Sequence, residues 1–356
     1  MRQLSVEELL SLAPYGFSGE HELCKSIEDI SFKFTQNREQ LDSYLSSDKE
    51  ISAYMSFYFP THYPKFSYLL SKVPSLHDGL KKAHFVDVGS GPGTFMLAYL
   101  DLFPLSNAVY GIENSVKMKQ VALKVLAHYY PQKEIHIVQN KEGLLLKGPV
   151  WLNFGHSLNE MQVEIGLEII KKLNPTWISF LEPGTLQSFK VVNSLRSSLL
   201  QNDFKNYFPC PNSQAMCPME GADNWCHQNL FSHFHPEVER LMQKVKKDRF
   251  QQNMVAHLWG KDFVSTEVSS KKSNARVVRF SGETKFSFEL EACINDETQN
   301  SNDIVNFVIL KKKHEKKLLK KLKNSLLGME LTYSILGHRK THQGVLTTEI
   351  QLIDIN

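Results

Sequence analysis

The sequence has no long hydrophobic run, and this absence excludes several classes of protein. No stretch of apolar residues is long enough to cross a bilayer, so we expect no contact with a membrane. The first residues carry no apolar segment behind a basic end, and they are too acidic for a mitochondrial transit peptide. We therefore expect a cytoplasmic protein.

The sequence also has little net charge and few cysteines. A net charge of +3 over 356 residues neither requires nor excludes a nucleic-acid partner, so the local distribution of charge has to decide. The five cysteines are odd in number and form no Cys-x-x-Cys pair. Without a sign of export, they favour reduced thiols and a metal site over a disulfide framework.

From residue 84 onwards, short apolar runs alternate with longer amphipathic ones, which predicts a parallel sheet with crossover helices. Five strands are predicted, at His84–Val88, Ala108–Ile112, Glu134–Val138, 150–154 and 177–181. The chain then divides into an N-terminal helical region (1–80), a Rossmann-like domain (81–200), a cysteine-rich insert (201–260) and a C-terminal β-rich region with a basic helix (261–356).

A glycine-rich turn follows the first predicted strand directly. Asp87 is the second-last residue of this strand. The turn contains Gly89, Gly91 and Gly93, and an apolar helix begins after it. Glycine lets the chain turn sharply and lets a ligand lie against bare backbone, while the free N–H groups of the next helix face that ligand. The motif therefore predicts a nucleotide-like ligand at this turn.

The details of the turn favour S-adenosylmethionine (SAM) over NAD or ATP. A dinucleotide fingerprint would place its third glycine or alanine at Thr94, and the Gly-Lys-Ser/Thr ending of a P-loop is absent. The Asp87 carboxylate would repel a pyrophosphate but suits an amino group and a sulfonium. Glu113, at the end of the second strand, can accept hydrogen bonds from both ribose hydroxyls. We therefore predict an α/β fold with the Rossmann-like sheet of a class I methyltransferase.

A polar loop follows the fourth predicted strand, at the sheet edge where such folds bind substrate. Within it, Asn159 and Glu160 are predicted to contact the methionine part of SAM or the methyl acceptor. Capping of the next helix is an equally good interpretation of both residues. We name Asn159 as a cofactor-binding candidate and predict no catalytic residue.

Three cysteines, Cys210, Cys217 and Cys226, lie in a segment that has no periodic pattern and few large apolar residues. Bonds from clustered thiolates to a metal would supply the missing stability, and such soft ligands select zinc or an iron–sulfur cluster. A fourth ligand would have to come from elsewhere. The candidates are His227, His233, His235, Cys24 and Cys293.

In their order along the chain, these motifs resemble the ribosomal small-subunit-associated, methyltransferase-like family. The resemblance rests on the glycine loop, on Ser157-Leu158-Asn159-Glu160, on Leu181-Glu182-Pro183-Gly184-Thr185, and on Cys210-Pro211, Cys217-Pro218 and Trp225-Cys226-His227. It covers roughly residues 63–310. Eukaryotic members of the family work on the mitochondrial ribosome, and this chain resembles their bacterial relatives.

The resemblance implies a 4Fe–4S cluster held by Cys210, Cys217, Cys226 and a fourth cysteine, Cys293. It also implies association with the small ribosomal subunit during its assembly, with an effect on translation. Two positions depart from the family pattern. Asn212 stands where the family tends to have histidine, and Asn295-Asp296-Glu297 stands where glycine tends to follow the fourth cysteine. Neither change removes a thiolate.

Eight lysines crowd residues 311–323, with leucines at helical spacing between them. One face of such a helix would pack, and the other would neutralise phosphates without reading sequence. Together with the resemblance to the ribosomal family, this pattern makes ribosomal RNA the expected partner, and DNA is not expected. From the lysine pattern alone, a merely solvated lysine face would be the favoured interpretation.

Three functions are compatible with these observations. The first is a ribosome-associated, SAM-dependent methyltransferase that carries an iron–sulfur cluster and acts in small-subunit assembly. The second is a non-catalytic assembly factor that binds rRNA through a methyltransferase fold. The third is a small-molecule methyltransferase with a structural zinc ion.

Overall fold

The structure is a computed structural model that describes residues 2–36, 45–106, 108–213, 215–222, 224–261, 273–296, 301–324, 327–340 and 344–355. The helices are α1 (Val6–Leu12), α2 (Glu20–Gln36), α3 (Asp48–His62), α4 (Pro64–Ser71), α5 (His77–Leu80), α6 (Thr94–Leu102), α7 (Val116–Tyr129), α8 (Val163–Leu173), α9 (Leu186–Ser194), α10 (Arg196–Gln201), α11 (Pro236–Lys244) and α12 (Lys316–Asn324). The strands are β1 (His84–Val88), β2 (Ala108–Ile112), β3 (Glu134–Val138), β4 (Val150–Gly155), β5 (Trp177–Pro183), β6 (Lys205–Phe208), β7 (Gln228–Phe231), β8 (Gln251–Gly260), β9 (Ser273–Glu283), β10 (Ser287–Asp296), β11 (Ser301–Leu310), β12 (Glu330–Lys340) and β13 (Leu346–Ile355). Among the described helices, none combines the length and apolar character that a membrane span requires.

The chain forms two compact units, and each is built from two stretches of sequence. Unit 1 consists of Met1–Leu181 and Leu230–Gln252, and unit 2 consists of Glu182–Asn229 and Asn253–Asn356. The division into four regions remains a prediction about the organisation of the sequence.

Unit 1 contains a parallel sheet in the order β3-β2-β1-β4-β5, with helices between successive strands. The prediction of an α/β fold is confirmed, and the first three strands have the predicted bounds. β1 and β4 are buried along nearly their whole length, as expected for the centre of a sheet covered on both faces. The chain order reverses between β1 and β4, and such a switch point opens a crevice at the carboxyl ends of the strands.

Aromatic side chains fill the core of unit 1. Phe85 of β1 stacks on Tyr99 of α6, with ring centroids 4.3 Å apart. Trp151 of β4 stacks on Phe66 of α4 at 5.3 Å, so an N-terminal helix packs onto the sheet. The predicted helical region is therefore part of the same compact unit as the sheet.

Unit 2 contains a closed five-stranded barrel in the order β10-β11-β13-β12-β9. Its interior is apolar and includes Phe288, Phe307 and Ile350. Elsewhere in unit 2, β6 pairs with β8 in antiparallel register, so the fold as a whole mixes parallel and antiparallel strands. The lysine-rich segment was expected to be one helix. Instead Lys311–Lys313 forms a separate 3-10 turn before α12, and His314 interrupts the two.

Candidate functional site

A cavity of about 650 Å³ in unit 1 is formed by the glycine loop and by the segments that follow β2 and β4. Its volume falls within the range of small-molecule sites. Three of the predicted cofactor-binding residues, Gly89, Gly91 and Glu113, line it. The other three, Asp87, Gly93 and Asn159, are not among the lining residues.

All three glycines of the loop have left-handed backbone conformations, with φ of +67° at Gly89, +51° at Gly91 and +88° at Gly93. A Cβ on Gly89 would lie 2.6 Å from the Cβ of Ser157, so only glycine fits there. A Cβ on Gly91 would meet nothing within 4 Å. Gly91 therefore leaves open space on the wall of the cavity, where a ligand can approach the backbone.

Glu113 ties the glycine loop to the end of β2. Its Oε2 accepts a hydrogen bond from the Gly91 N–H at 2.8 Å, and its Oε1 accepts one from the Ser115 N–H at 2.7 Å. Burial raises the pKa of this carboxyl, whereas the backbone donors lower it. Each carboxylate oxygen has a second lone pair, so the group can still accept hydrogen bonds from a ligand in the cavity.

Asp87 is fully buried, and it ends a series of hydrogen-bonded polar side chains within the sheet. Its Oδ1 accepts a hydrogen bond from Asn153 Nδ2 at 2.8 Å, and Asn153 Oδ1 accepts one from Ser179 Oγ at 2.7 Å. Trp151 Nε1 donates to the same Ser179 oxygen at 2.9 Å. Within the described part of the chain, Asp87 Oδ2 has no partner. Burial, with a smaller contribution from Glu113, raises the pKa of Asp87 to about 8.

We expect Asp87→Asn to stabilise the ligand-free protein by an amount that grows with pH. The folded protein keeps a proton up to a pKa of about 8, whereas the ordinary value is 3.8. The Asp87 carboxyl therefore makes its full contribution to the free energy of unfolding below its ordinary pKa. That contribution falls by up to about 1.4 kcal/mol per pH unit as the pH rises from the ordinary pKa to the pKa in the folded protein. Asparagine does not ionise and keeps an acceptor for Asn153.

Thermal unfolding of both proteins across this pH range tests the effect. The gain from Asp87→Asn should be small near pH 5 and several degrees larger near pH 8 (about 4 °C per kcal/mol at most for a chain of this size). A gain that does not change with pH would contradict the expectation.

Sequence reasoning missed a pair of stacked histidines beside this cavity. The rings of His62 and His156 are 3.9 Å apart and nearly parallel, and Lys65 Nζ lies 2.7 Å from His156 Nε2. Burial lowers the pKa of both imidazoles well below the usual value, so both are neutral. His156 lines the cavity, together with Tyr54. The only sequence sign was the place of His156 after β4, because its partners lie about ninety residues earlier.

A second, small cavity of about 20 Å³ lies in unit 2, and all four predicted metal ligands line it. Cys210, Cys217, Cys226 and Cys293 reach this thiolate cavity from separate parts of the chain. None of them forms a disulfide. The other candidate ligands do not line it: Cys24, His233 and His235 belong to unit 1, and His227 Nδ1 faces the Trp225 carbonyl oxygen. Among the described side chains, no three His, Cys, Asp or Glu residues are placed to hold a metal ion.

Buried polar groups surround the four thiols. The Arg196 guanidinium is almost fully buried, and its Nη1 donates to Cys210 Sγ at 3.2 Å. The same group donates to the Ala215 carbonyl oxygen, which lies between Cys210 and Cys217 in sequence. The Gln228 amide lies 3.7 Å from Cys226 Sγ. Burial raises the pKa of the Cys217 thiol to about 11, and raises those of Cys226 and Cys293 further.

The two departures from the family pattern contact each other. Asn212 Nδ2 donates to Asn295 Oδ1 at 3.1 Å, and the Asn212 N–H donates to Asn302 Oδ1 at 3.0 Å. These bonds hold the segment of Cys210 against the strand pair that carries Cys293. Both departures therefore take part in contacts between the segment of Cys210 and the strands β10 and β11, and Cys293 still lines the cavity.

Comparison with known proteins gives one family. The family model described as "Mitochondrial small ribosomal subunit Rsm22" matches residues 48–329. Two curated relatives from Schizosaccharomyces pombe, the mitochondrial Rsm22-cox11 tandem proteins 1 and 2, are each 25% identical over 211 residues. The match covers 52% of this chain, and the chain spans only 28% of the length of these relatives.

Solved structures with a related chain trace include methyltransferases. The plantazolicin methyltransferase BpumL with S-adenosylhomocysteine is 12% identical, with 71% of this chain and 97% of that chain covered and a TM-score of 0.30. TrmK of M. capricolum, with the same cofactor product, is 10% identical, with coverages of 52% and 66% and a TM-score of 0.30.

The expectation of a cytoplasmic protein is wrong. The matching family model and both curated relatives are named as mitochondrial.

Proposed function

Because the chain belongs to the mitochondrial small ribosomal subunit Rsm22 family, we propose that it acts on that subunit of the ribosome during its assembly. In this proposal, unit 1 has the Rossmann-like fold of a class I methyltransferase and binds SAM in its cavity. The thiolate cavity of unit 2 holds a 4Fe–4S cluster, and lysine side chains contact rRNA. The family match over residues 48–329 is the observation that carries the ribosomal role.

The geometry of the unit 1 cavity supports SAM as the ligand. The cavity is large enough, at about 650 Å³, and it opens onto the bare backbone at Gly91. Glu113 lies on its wall with lone pairs left for ribose hydroxyls. Asp87 is buried close enough to Glu113 for the two carboxyls to interact, and a cationic ligand would favour its ionised form. Asp87, Gly93 and Asn159 would then support the site from behind its lining.

The SAM methyl group is electrophilic when bound, so the protein has mainly to align a nucleophile with it. His156 lies on the cavity wall, and Nε2 of its neutral imidazole accepts a hydrogen bond from Lys65 Nζ, which fixes the orientation of the ring. The other ring nitrogen, Nδ1, then carries the proton, so the ring can orient a ligand as a hydrogen-bond donor but does not take up a proton from the nucleophile.

The donor set of the thiolate cavity fits an iron–sulfur cluster. Four sulfur ligands surround one apolar space, and the buried cations of Arg196 and Arg276 line or contact it, which offsets the charge of thiolates. Clustered thiolates also select zinc, so the metal content of the purified protein decides between a cluster and a single zinc ion.

Sedimentation with ribosomal particles tests the ribosomal role. A tagged chain should migrate with small subunits from cells that assemble mitochondrial ribosomes, and its removal should deplete mature small subunits several-fold. Free large subunits are the internal control. A chain that stays at the top of the gradient and whose loss leaves small subunits unchanged would reject the proposal.

Labelled SAM separates the enzyme from a non-catalytic factor. Transfer of the label to immature small subunits, lost when Gly91 is replaced by a larger residue, identifies a methyltransferase. Normal subunit maturation with that substitution identifies a binding factor that uses the same surfaces.

A further inference from the structure

The barrel of unit 2 has the connectivity of an OB-fold, a fold that commonly binds oligonucleotides. Numbered along the chain, its five strands follow the order 1-2-3-5-4, and the first and fourth strands close the barrel. β11 and β13 pair in parallel, and the other pairs are antiparallel. The helix α12 lies between the third and fourth strands, β11 and β12.

The face that OB-folds usually offer to nucleic acid is already used within unit 2. That face lies on the second and third strands, here β10 and β11. Cys293 of β10 and Asn302 of β11 line the thiolate cavity, and Asn302 also binds the backbone of Asn212. OB-folds also bind through the loop between the first and second strands and through the loop between the fourth and fifth strands. Of these two, the loop between β9 and β10 is described in full.

That loop presents an aromatic ring to solvent on a rigid turn. Phe286 is 70% exposed. Thr284 Oγ1 accepts hydrogen bonds from the Phe286 N–H at 3.1 Å and the Ser287 N–H at 2.9 Å, and the Lys311 N–H donates to the Phe286 carbonyl oxygen at 2.8 Å. Lys285 Nζ lies 5.7 Å from the centre of the Phe286 ring. An exposed, fixed aromatic ring beside a cation is a platform on which a base can stack.

The lysines of the neighbouring segment adjoin this turn. Lys311 Nζ and Lys323 Nζ both contact Glu283, at 2.8 Å and 3.0 Å, so the 3-10 turn and α12 lie next to the loop. Lys313 contacts Glu349 at 2.6 Å. Within the described part of the chain, Lys312, Lys316, Lys317 and Lys320 are exposed and form no salt bridge, although Lys312 is close enough to Glu349 to lower its pKa. These four ammonium groups are available to phosphates.

We propose that this lysine–aromatic surface, formed by Lys285, Phe286, Lys312 and the exposed lysines of α12 (Lys316, Lys317 and Lys320), binds single-stranded RNA. Phe286 stacks against one base, and the lysines neutralise the phosphates that follow it. Unpaired bases are required, because a base inside a duplex offers no open face to the ring. The inference rests on the proposed ribosomal function for the source of the RNA.

Binding of the full chain to a labelled oligouridine of about ten nucleotides tests the surface. Phe286→Ala should weaken binding about tenfold without changing its dependence on salt. The double variant Lys317→Gln, Lys320→Gln should lower the slope of log affinity against log salt by about 1.4. As matched controls, Phe32→Ala removes another exposed aromatic ring and Lys171→Gln, Lys172→Gln removes two charges from α8, and both should bind as the parent does.

Parent-like binding by Phe286→Ala and by the α12 variant would overturn the proposal. Tighter binding of the same sequence as a duplex would also overturn the proposal, because the bases of a duplex cannot stack on the Phe286 ring. Sedimentation of the parent chain with small subunits distinguishes a failure of the proposed ribosomal role from a failure of this inference. If the parent binds the oligonucleotide through this surface but does not sediment with subunits, the ribosomal role fails while this inference stands. If it sediments and the variants bind RNA normally, only this inference fails.

Discussion

The proposed iron–sulfur centre should be lost in Cys293→Ser and kept in Cys24→Ser. Cys293 lies on β10 and lines the thiolate cavity with three cysteines that precede it by at least 67 residues in sequence. Serine keeps the size of the side chain but replaces a soft thiolate by a hydroxyl that binds iron poorly. Cys24 lies in α2 of unit 1 and is the matched control for loss of one thiol.

The measurement is iron, sulfide and zinc content together with visible absorbance of anaerobically purified protein. The parent and Cys24→Ser should be coloured and contain about four irons per chain, the content of a 4Fe–4S centre. Cys293→Ser should be colourless and should unfold at a lower temperature, because metal binding contributes to folding free energy. Full iron content in Cys293→Ser would reject the ligand set. Zinc without iron in the parent would keep the thiolate site and reject the cluster.

Gly91→Val should weaken SAM binding at least about a hundredfold, the loss expected when a side chain fills the space that a ligand needs. Gly91 has a φ of +51° and open space at its Cβ position, on the wall of the unit 1 cavity. Valine there would enter the cavity and would also strain the N–H that holds Glu113.

Gly344→Val is the matched control for this variant. Gly344 also has a positive φ, +80°, with nothing within 4 Å of its Cβ position, but it lies outside the cavity. Calorimetric titration with SAM should show parent-like affinity for Gly344→Val and no measurable heat for Gly91→Val, while both unfold at similar temperatures. Equal affinity in the two variants would place SAM elsewhere.

The sheet of unit 1 could be predicted from the sequence because each of its strands is recognised from residues close together in the chain. β1, β2 and β3 have the predicted bounds, and β4 and β5 extend the predictions by one and two residues. Each strand is a short apolar run bounded by turn residues, so no distant partner is needed to recognise it. The glycine loop was likewise visible, since a positive φ at three alternate positions leaves glycine as the favoured residue.

What could not be predicted depends on contacts between distant parts of the chain. The chain of hydrogen bonds from Asp87 through Asn153 to Ser179 joins three strands, and the sequence shows only three separate polar residues. A β-rich C-terminal region was predicted, but closure of its strands into a barrel was not. Closure depends on the pairs β9–β12 and β11–β13, which no turn motif connects.

The cysteine segment was partly predictable. Its lack of large apolar residues indicated a need for metal ligands, and the four named cysteines do line one cavity. The roles of Arg196 and Gln228 were not visible, because a buried arginine in α10 has the same sequence pattern as an exposed one. The same limit applies to Asn212 and Asn295, which contact each other across 83 positions.

The interleaved composition of the two units limits how the protein can be divided for study. Residues 182–229 belong to unit 2, yet residues 230–252 return to unit 1 before the barrel begins. No single cut of the polypeptide therefore separates an intact SAM-cavity fragment from an intact cysteine-and-barrel fragment. A shortened clone that stops before residue 253 would keep Cys210, Cys217 and Cys226 but discard their fourth companion. Isolated pieces would need to be co-expressed or rejoined in a new order.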